Sequence, residues 1–301
     1  MRAVFLFILL LLVHIPVVSH AAAIHDAAKK GDIAAIAAAL DAGADVNESD
    51  GLAAPLHYAV NRQHLDAAKL LIERGANVNA VSKLGGAPLM AAVTKNRIEF
   101  ITLLLAHGAD PNATAGKQAP LHVAIRKGCL DCVAALVEAG ADVNALTTDP
   151  VPRTPIHLAR FHEHSEISDY LMAHGVVLPK PAPIAEKLAA ADVEKGQIFF
   201  GGNCDGCHNN QPGKGHGSKY GPNLWEVIGR DKASAPEFKY SKTLRDWEGA
   251  WTYEDLNIFL YGPVLTTPGV RMETPGTPDD AERIDLIAYL RTLSDKPIPL
   301  P

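Results

Sequence analysis

The sequence predicts an all-α protein of two unlike halves, a helical solenoid followed by a compact helical domain. Three observations carry that expectation. Glycines recur at a near-constant spacing through the first half: Gly43, Gly75, Gly108 and Gly140 lie 32, 33 and 32 residues apart. The period stops at Val177-Leu178-Pro179-Lys180-Pro181-Ala182-Pro183, a proline-rich stretch that favours extended backbone. Beyond it the composition changes, and all three tryptophans (Trp225, Trp247 and Trp251) lie there. A chain of 301 residues allows about two domains. With 48% hydrophobic and 21% charged residues it can bury a core and is not a disordered polyelectrolyte. The net charge of −6 is spread evenly, with 14 basic against 17 acidic residues over 22–180 and 13 against 17 over 186–296. No basic stripe argues for a nucleic-acid partner, and none is expected.

The N-terminus reads as an address. Arg2 precedes an apolar run without charge, Ala3–Val13, and Pro16 then breaks any helix. Ser19-His20-Ala21 or Ala21-Ala22-Ala23 offers a small-x-small cleavage site, so residues 1–23 are expected to be a cleaved signal peptide. A membrane anchor needs about 20 apolar residues, more than this core supplies. No later stretch approaches that length, so no transmembrane segment is expected after cleavage. The mature chain is expected in the periplasm.

Residues 24–178 repeat themselves. The phrase Ala42-Gly43-Ala44-Asp45-Val46-Asn47 returns as Arg74-Gly75-Ala76-Asn77-Val78-Asn79, His107-Gly108-Ala109-Asp110-Pro111-Asn112 and Ala139-Gly140-Ala141-Asp142-Val143-Asn144. Interleaved with it are Pro55-Leu56-His57, Pro88-Leu89-Met90, Pro120-Leu121-His122 and Pro155-Ile156-His157. Proline in a first helical turn gives up an N–H that would be unpaired anyway, and glycine after a helix suits a left-handed cap. One helix pair cannot bury its apolar face, so neighbours must stack. The phrases resemble the ankyrin-repeat family, over about five units. The first unit, opening Asp26-Ala27-Ala28-Lys29-Lys30, and the last, ending Leu171-Met172-Ala173-His174-Gly175, read as caps. The last carries an insertion at Asp149-Pro150-Val151-Pro152. The resemblance implies that His57, His122 and His157 bond within or between repeats rather than ligate a metal. It also implies a concave surface for a protein partner. Cys129-Leu130-Asp131-Cys132 opens a second helix, and three readings stay open for it: two buried thiols, a local disulfide, or a redox dithiol at a helix end.

After the proline-rich linker, residues 179–185, the decisive phrase is Cys204-Asp205-Gly206-Cys207-His208. Two thiols three apart, followed at once by an imidazole, read as covalent attachment of one haem c. The thiols anchor one edge of the porphyrin and hold His208 below the iron. No second cysteine pair lies in this half to complete a zinc site. The other axial ligand follows by elimination. Met1 leaves with the leader, Met90 and Met172 belong to repeat helices, and Met272 remains. A thioether opposite an imidazole is the pairing of electron-transfer cytochromes. An ordinary core role for Met272, and His216 as the competing ligand, are the alternatives.

With these phrases in view, residues 186–296 resemble a class I, mitochondrial-type cytochrome c, with 297–301 as a tail. Gly196 and Phe200 precede the haem phrase as they do in that family, where this helix crosses the C-terminal one, here Arg283–Arg291. Leu286, Tyr289 and Leu290 share a face of it. The resemblance implies that the Pro222 carbonyl, in Gly221-Pro222-Asn223-Leu224, fixes the His208 tautomer. It implies that Arg230, Tyr240 and Trp251 bind a buried haem propionate. The chain departs from the family at Val270, where a threonine is frequent. It departs again at Phe259, where a tyrosine commonly touches the methionine sulfur. The family's mitochondrial members dock through a ring of lysines, whereas this domain is net acidic.

The expected function is one-electron transfer by an exported carrier, with no substrate conversion. Redox partner proteins are expected for the haem domain, and a docked protein for the repeats. The alternative is an ankyrin scaffold with the haem as redox sensor. A peroxidase-like site, opened by loss of Met272 from the iron, is a third reading.

Overall fold

A computed structural model describes residues 20–215, 220–236 and 238–301, so residues 1–19 of the expected leader and His216 lie outside the described residues. Among the described residues the structure is helical, with three isolated β-bridges and no strand. No described helix is long and apolar enough to cross a membrane. By packing, the chain divides into two units between Ala91 and Ala92.

The first unit holds α1 (His20–Lys30), α2 (Ile33–Asp41), α3 (Pro55–Arg62) and α4 (Leu65–Glu73), with α5 (Pro88–Thr94) beginning in it. Asp32 caps α2 by accepting from the Ala35 N–H at 3.0 Å. Pro55 and Pro88 open their helices, as the phrase predicts. Ile24, Ala28, Ile36, Leu56 and Leu71 are buried between successive pairs. The repeated histidine and asparagine have separate tasks. The His57 Nε2–H donates to the Ala80 carbonyl at 2.8 Å, tying helix to following turn. The Asn47 amide donates to the Gly75 carbonyl at 3.1 Å and accepts from the Asn77 N–H at 2.7 Å, bridging one turn to the next.

The second unit continues the repeats with α6 (Ile98–Ala106), α7 (Pro120–Arg126), α8 (Leu130–Glu138), α9 (Pro155–Phe161) and α10 (Ser165–Ala173). The same bonds recur. His122 Nε2–H donates to the Ala145 carbonyl at 2.9 Å, and Asn112 and Asn144 reach the Gly140 and Gly175 carbonyls at 3.0 Å. Gly140, in the left-handed region at φ 93°, follows α8 as the repeated phrase requires. Of the three readings of Cys129 and Cys132, the structure has the disulfide. Cys129 sits at the N-cap of α8 and Cys132 is fully buried.

The proline-rich segment is not a free spacer. The Ala182 carbonyl accepts from the Asn257 amide at 2.9 Å, and the Ile184 and Ala185 N–H groups donate to Glu254 Oε1. Ile184 and, within a 3₁₀ turn at Ala185–Ala190, Leu188 are buried in the core of the C-terminal domain. Proline content carries no information about what the segment lies on.

That core is built by α11 (Val193–Asn203), α12 (Lys242–Arg245), α13 (Tyr253–Tyr261), α14 (Pro263–Thr266) and α15 (Asp280–Thr292). Asp192 caps α11, and Thr252 and Asp255 form a capping box on α13 at 3.0 and 3.1 Å. The helices α11 and α15 make the main crossing. At its centre, a Cβ on Gly196 would lie 2.0 Å from the Asp285 carbonyl oxygen, so only glycine allows the approach. Phe200 packs on Tyr289 with ring centroids 5.4 Å apart.

Candidate haem site

The crossing sets the origin of the site. At the end of α11 the chain tightens: the Cys204 N–H reaches the Phe200 carbonyl at 2.8 Å, and the Cys207 and His208 N–H groups return to the Cys204 carbonyl at 3.0 and 2.9 Å. This turn presents two thiols and the imidazole on one wall of a cavity of about 380 Å³. All eight residues singled out in the sequence line it: Cys204, Cys207, His208, Pro222, Arg230, Tyr240, Trp251 and Met272. Burial pushes the Cys204 thiol up to about 11, with Cys207 and Asp205 adding to it, so it stands as the neutral thiol.

The loop through Pro222 fixes the imidazole. His208 Nδ1–H donates to the Pro222 carbonyl at 2.8 Å, which leaves Nε2 as the nitrogen with a lone pair. Burial holds the ring below its usual basicity, so it is neutral, the form that can bind a metal. Two residues here were not singled out by the sequence. A Cβ on Gly221 would stand 2.5 Å from the His208 ring, so the loop can lie against the imidazole only as glycine. Asn223 ties the loop together, donating to the Gln211 and Lys214 carbonyls at 2.9 and 2.6 Å and accepting from the Trp225 N–H at 2.8 Å. The Gly-Pro-Asn phrase contains both residues, but spacing alone does not separate their tasks from a plain turn.

The far wall is polar at one point. Gly229 and Arg230 pair with Trp251 through backbone bonds, Gly229 N–H to the Trp251 carbonyl at 2.8 Å and Trp251 N–H to the Arg230 carbonyl at 2.9 Å. This short ladder turns both side chains toward the cavity. Arg230 spends Nη1 on the Trp225 carbonyl and Nη2 on the Asn223 carbonyl, at 2.9 and 2.8 Å. Its Nε–H is buried without a partner. The Tyr240 hydroxyl accepts from the Ala235 N–H at 3.3 Å, so its proton is available to another acceptor. A buried cation with an unsatisfied donor is costly unless an anion completes it. Met272 is half-buried against the core, and Phe259, Leu256, Leu286 and Leu290 supply apolar lining.

These residues fit a haem: paired thiols and a neutral imidazole on one wall, a thioether among the other lining groups, apolar surface between, and an orphaned guanidinium donor for a carboxylate. Phe259 lines the same cavity as Met272, and its ring has no hydroxyl to donate to the methionine sulfur.

Comparison with known proteins agrees with the two halves. The ankyrin-repeat family model matches over residues 8–82, 24–115 and 78–147, and the cytochrome c family model matches residues 193–294. A cytochrome c homolog of Bradyrhizobium diazoefficiens is 38% identical over 128 residues, 42% of this chain and 68% of that protein. Cytochrome c of Euglena viridis is 35% identical over 104 residues, 35% of this chain and 99% of its own. The c-type cytochrome cy of Rhodobacter capsulatus is 40% identical over 102 residues, 34% of this chain and 49% of that protein. The chain belongs to the cytochrome c family, carries haem c covalently, and bears ankyrin repeats ahead of its haem domain.

Proposed function

We propose that this chain is an exported one-electron carrier in which His208 and Met272 hold the haem iron from its two sides and the ankyrin repeats dock a protein partner. In this reading residues 1–23 are a cleaved leader, 24–178 the repeats and 186–296 the haem domain, working in the periplasm. Convergence of the attachment thiols, the oriented imidazole and the one thioether of the domain on a single cavity is the observation that carries it.

Bound haem supplies a one-electron couple, and the chain supplies the rest. His208 Nε2 is the donor because Pro222 occupies Nδ1. Met272 would hold the iron together with His208, and iron held by both residues would keep no position for a substrate. Arg230, Tyr240 and Trp251 hold a carboxylate that the apolar lining would otherwise desolvate without compensation. Phe200, Leu286 and Leu290 line the cavity with apolar surface and would keep water from the bound group. For the repeats, the exposed Leu52, Val81 and Leu84 of the first unit are the kind of surface a protein partner covers.

Cys204→Ser should lose most covalent pigment, read as colour remaining with the polypeptide after acidified organic extraction. A normally loaded variant overturns the attachment role. Met272→Ala should remove the charge-transfer absorbance at the red end of the ferric spectrum and lower the potential. An unchanged spectrum and potential mean that another group is the ligand.

A further inference from the structure

The repeated histidine behaves differently in the last repeat. His25, His57 and His122 each donate from Nε2 to a carbonyl 23 residues on, at Glu48, Ala80 and Ala145. His157 has no such partner ahead of it. Its Nδ1 accepts from the Gly269 N–H at 3.1 Å, three residues before Met272, and its Nε2–H faces Glu273 Oε1 at 3.9 Å. A segment of the haem domain thus stands where the turn of a following repeat would stand.

The contact is built from both sides. Arg153, on the residue before the Thr154 cap of α9, donates from Nε and Nη2 to the two carboxylate oxygens of Glu273 at 3.1 and 2.6 Å. Asp149, in the insertion that lengthens this repeat, holds the same guanidinium at 3.3 Å. The Arg153 backbone is itself pinned to Thr147 at 3.0 and 3.1 Å. Gly269 lies so close that a Cβ there would stand 2.6 Å from Arg160 Cβ. Val270, next in the loop, is fully buried. Such bidentate, charge-assisted bonds fix orientation as well as position.

We propose that Arg153 and His157 are positioning residues for the sixth ligand: the last ankyrin repeat clamps residues 269–273 on either side of Met272 and so holds the thioether at the iron. The inference rests on Met272 being that ligand.

The test uses the full-length holoprotein in its ferric state, with added imidazole as the competing ligand. Met272→Ala should bind imidazole far more tightly than the parent; if it does not, Met272 is not the ligand and the inference fails with that reading. Given that result, Arg153→Ala and His157→Gln should each raise imidazole affinity about tenfold and weaken the red charge-transfer absorbance, with Arg153→Lys between parent and Arg153→Ala. Amide exchange at Gly269 should quicken in both. His122→Gln removes the equivalent bond inside the repeats and should leave imidazole affinity unchanged. Should Arg153→Ala fail to fold, Glu273→Gln breaks the same pair and carries the same expectation. Parent-like imidazole affinity in the pair-breaking and His157 variants, or an equal rise in His122→Gln, overturns the positioning role while leaving Met272 as ligand.

Discussion

Gly196 is the tightest point of the haem domain, and its lack of a side chain sets how close α11 and α15 come. A methyl there would meet the Asp285 carbonyl carbon at 2.5 Å and Tyr289 Cβ at 2.9 Å, both parts of the facing helix rather than a flexible side-chain end. Neither can retreat without moving α15, and α15 carries Leu286 and Leu290 into the cavity. Overpacking of this kind costs typically about 1–3 kcal/mol. Gly196→Ala should therefore lower the unfolding free energy of the holoprotein by an amount in that range, read as a lower denaturant midpoint. A midpoint equal to that of the parent would mean the crossing tolerates a methyl. The sequence made Gly196 readable, because its place ahead of the haem phrase and the apolar face of the partner helix are both local patterns. Gly221 and Glu273 were not readable in the same way. What singles them out is a ring and a guanidinium brought against them from elsewhere in the chain, and Arg153 and Glu273 are 120 residues apart.

At the scale of elements, the repeats are held by buried histidines as well as by apolar stacking. His57, His122 and His157 are each nearly inaccessible. Burial pushes all three below the ordinary value of 6.5, His157 to about 4. The unfolded chain takes up protons at these rings near pH 6.5, whereas the native chain takes them up only at lower pH. Stability is therefore complete above about 6.5 and falls below it, for His157 down to about 4, by up to about 1.4 kcal/mol per pH unit for each ring that the unfolded chain protonates and the native chain does not. Chemical denaturation followed by helical signal should show a lower midpoint at pH 5 than at pH 7. Replacing His57 and His122 by Gln should reduce that difference, and a pH-independent midpoint would refute the account. Periodicity made these helices and their Pro-first turns legible, because each repeat carries its own signal. It did not reveal that His157 turns to a different partner, since the Pro-Ile-His phrase is the same whichever surface lies beyond it. Nor did the prolines of residues 179–185 announce Ile184 as a core residue: extended backbone is a local property, and what covers it is not.

For the whole molecule, the governing quantity is charge. The chain carries −6, and its haem domain contributes 13 basic against 17 acidic residues, so neither half offsets the other. At about 0.01 M salt the screening length is about 30 Å, comparable to the size of a small domain, and an approaching ion senses the summed charge rather than a few neighbours. At 0.1 M it shortens to about 10 Å and only charges near the point of contact count. The rate at which a small cationic complex exchanges an electron with the haem should thus fall as salt is raised, and the rate for an anionic complex should rise. Stopped-flow measurements with one reagent of each sign provide the comparison. Opposite slopes in that order would mean that a basic partner is steered to this protein and an acidic one repelled, the reverse of a carrier that docks through lysines. If the cationic reagent instead speeds up with salt, local basic groups near the cavity mouth, among them Lys239 and Arg271, outweigh the net charge even at long screening length, and the choice of partner is set by that patch.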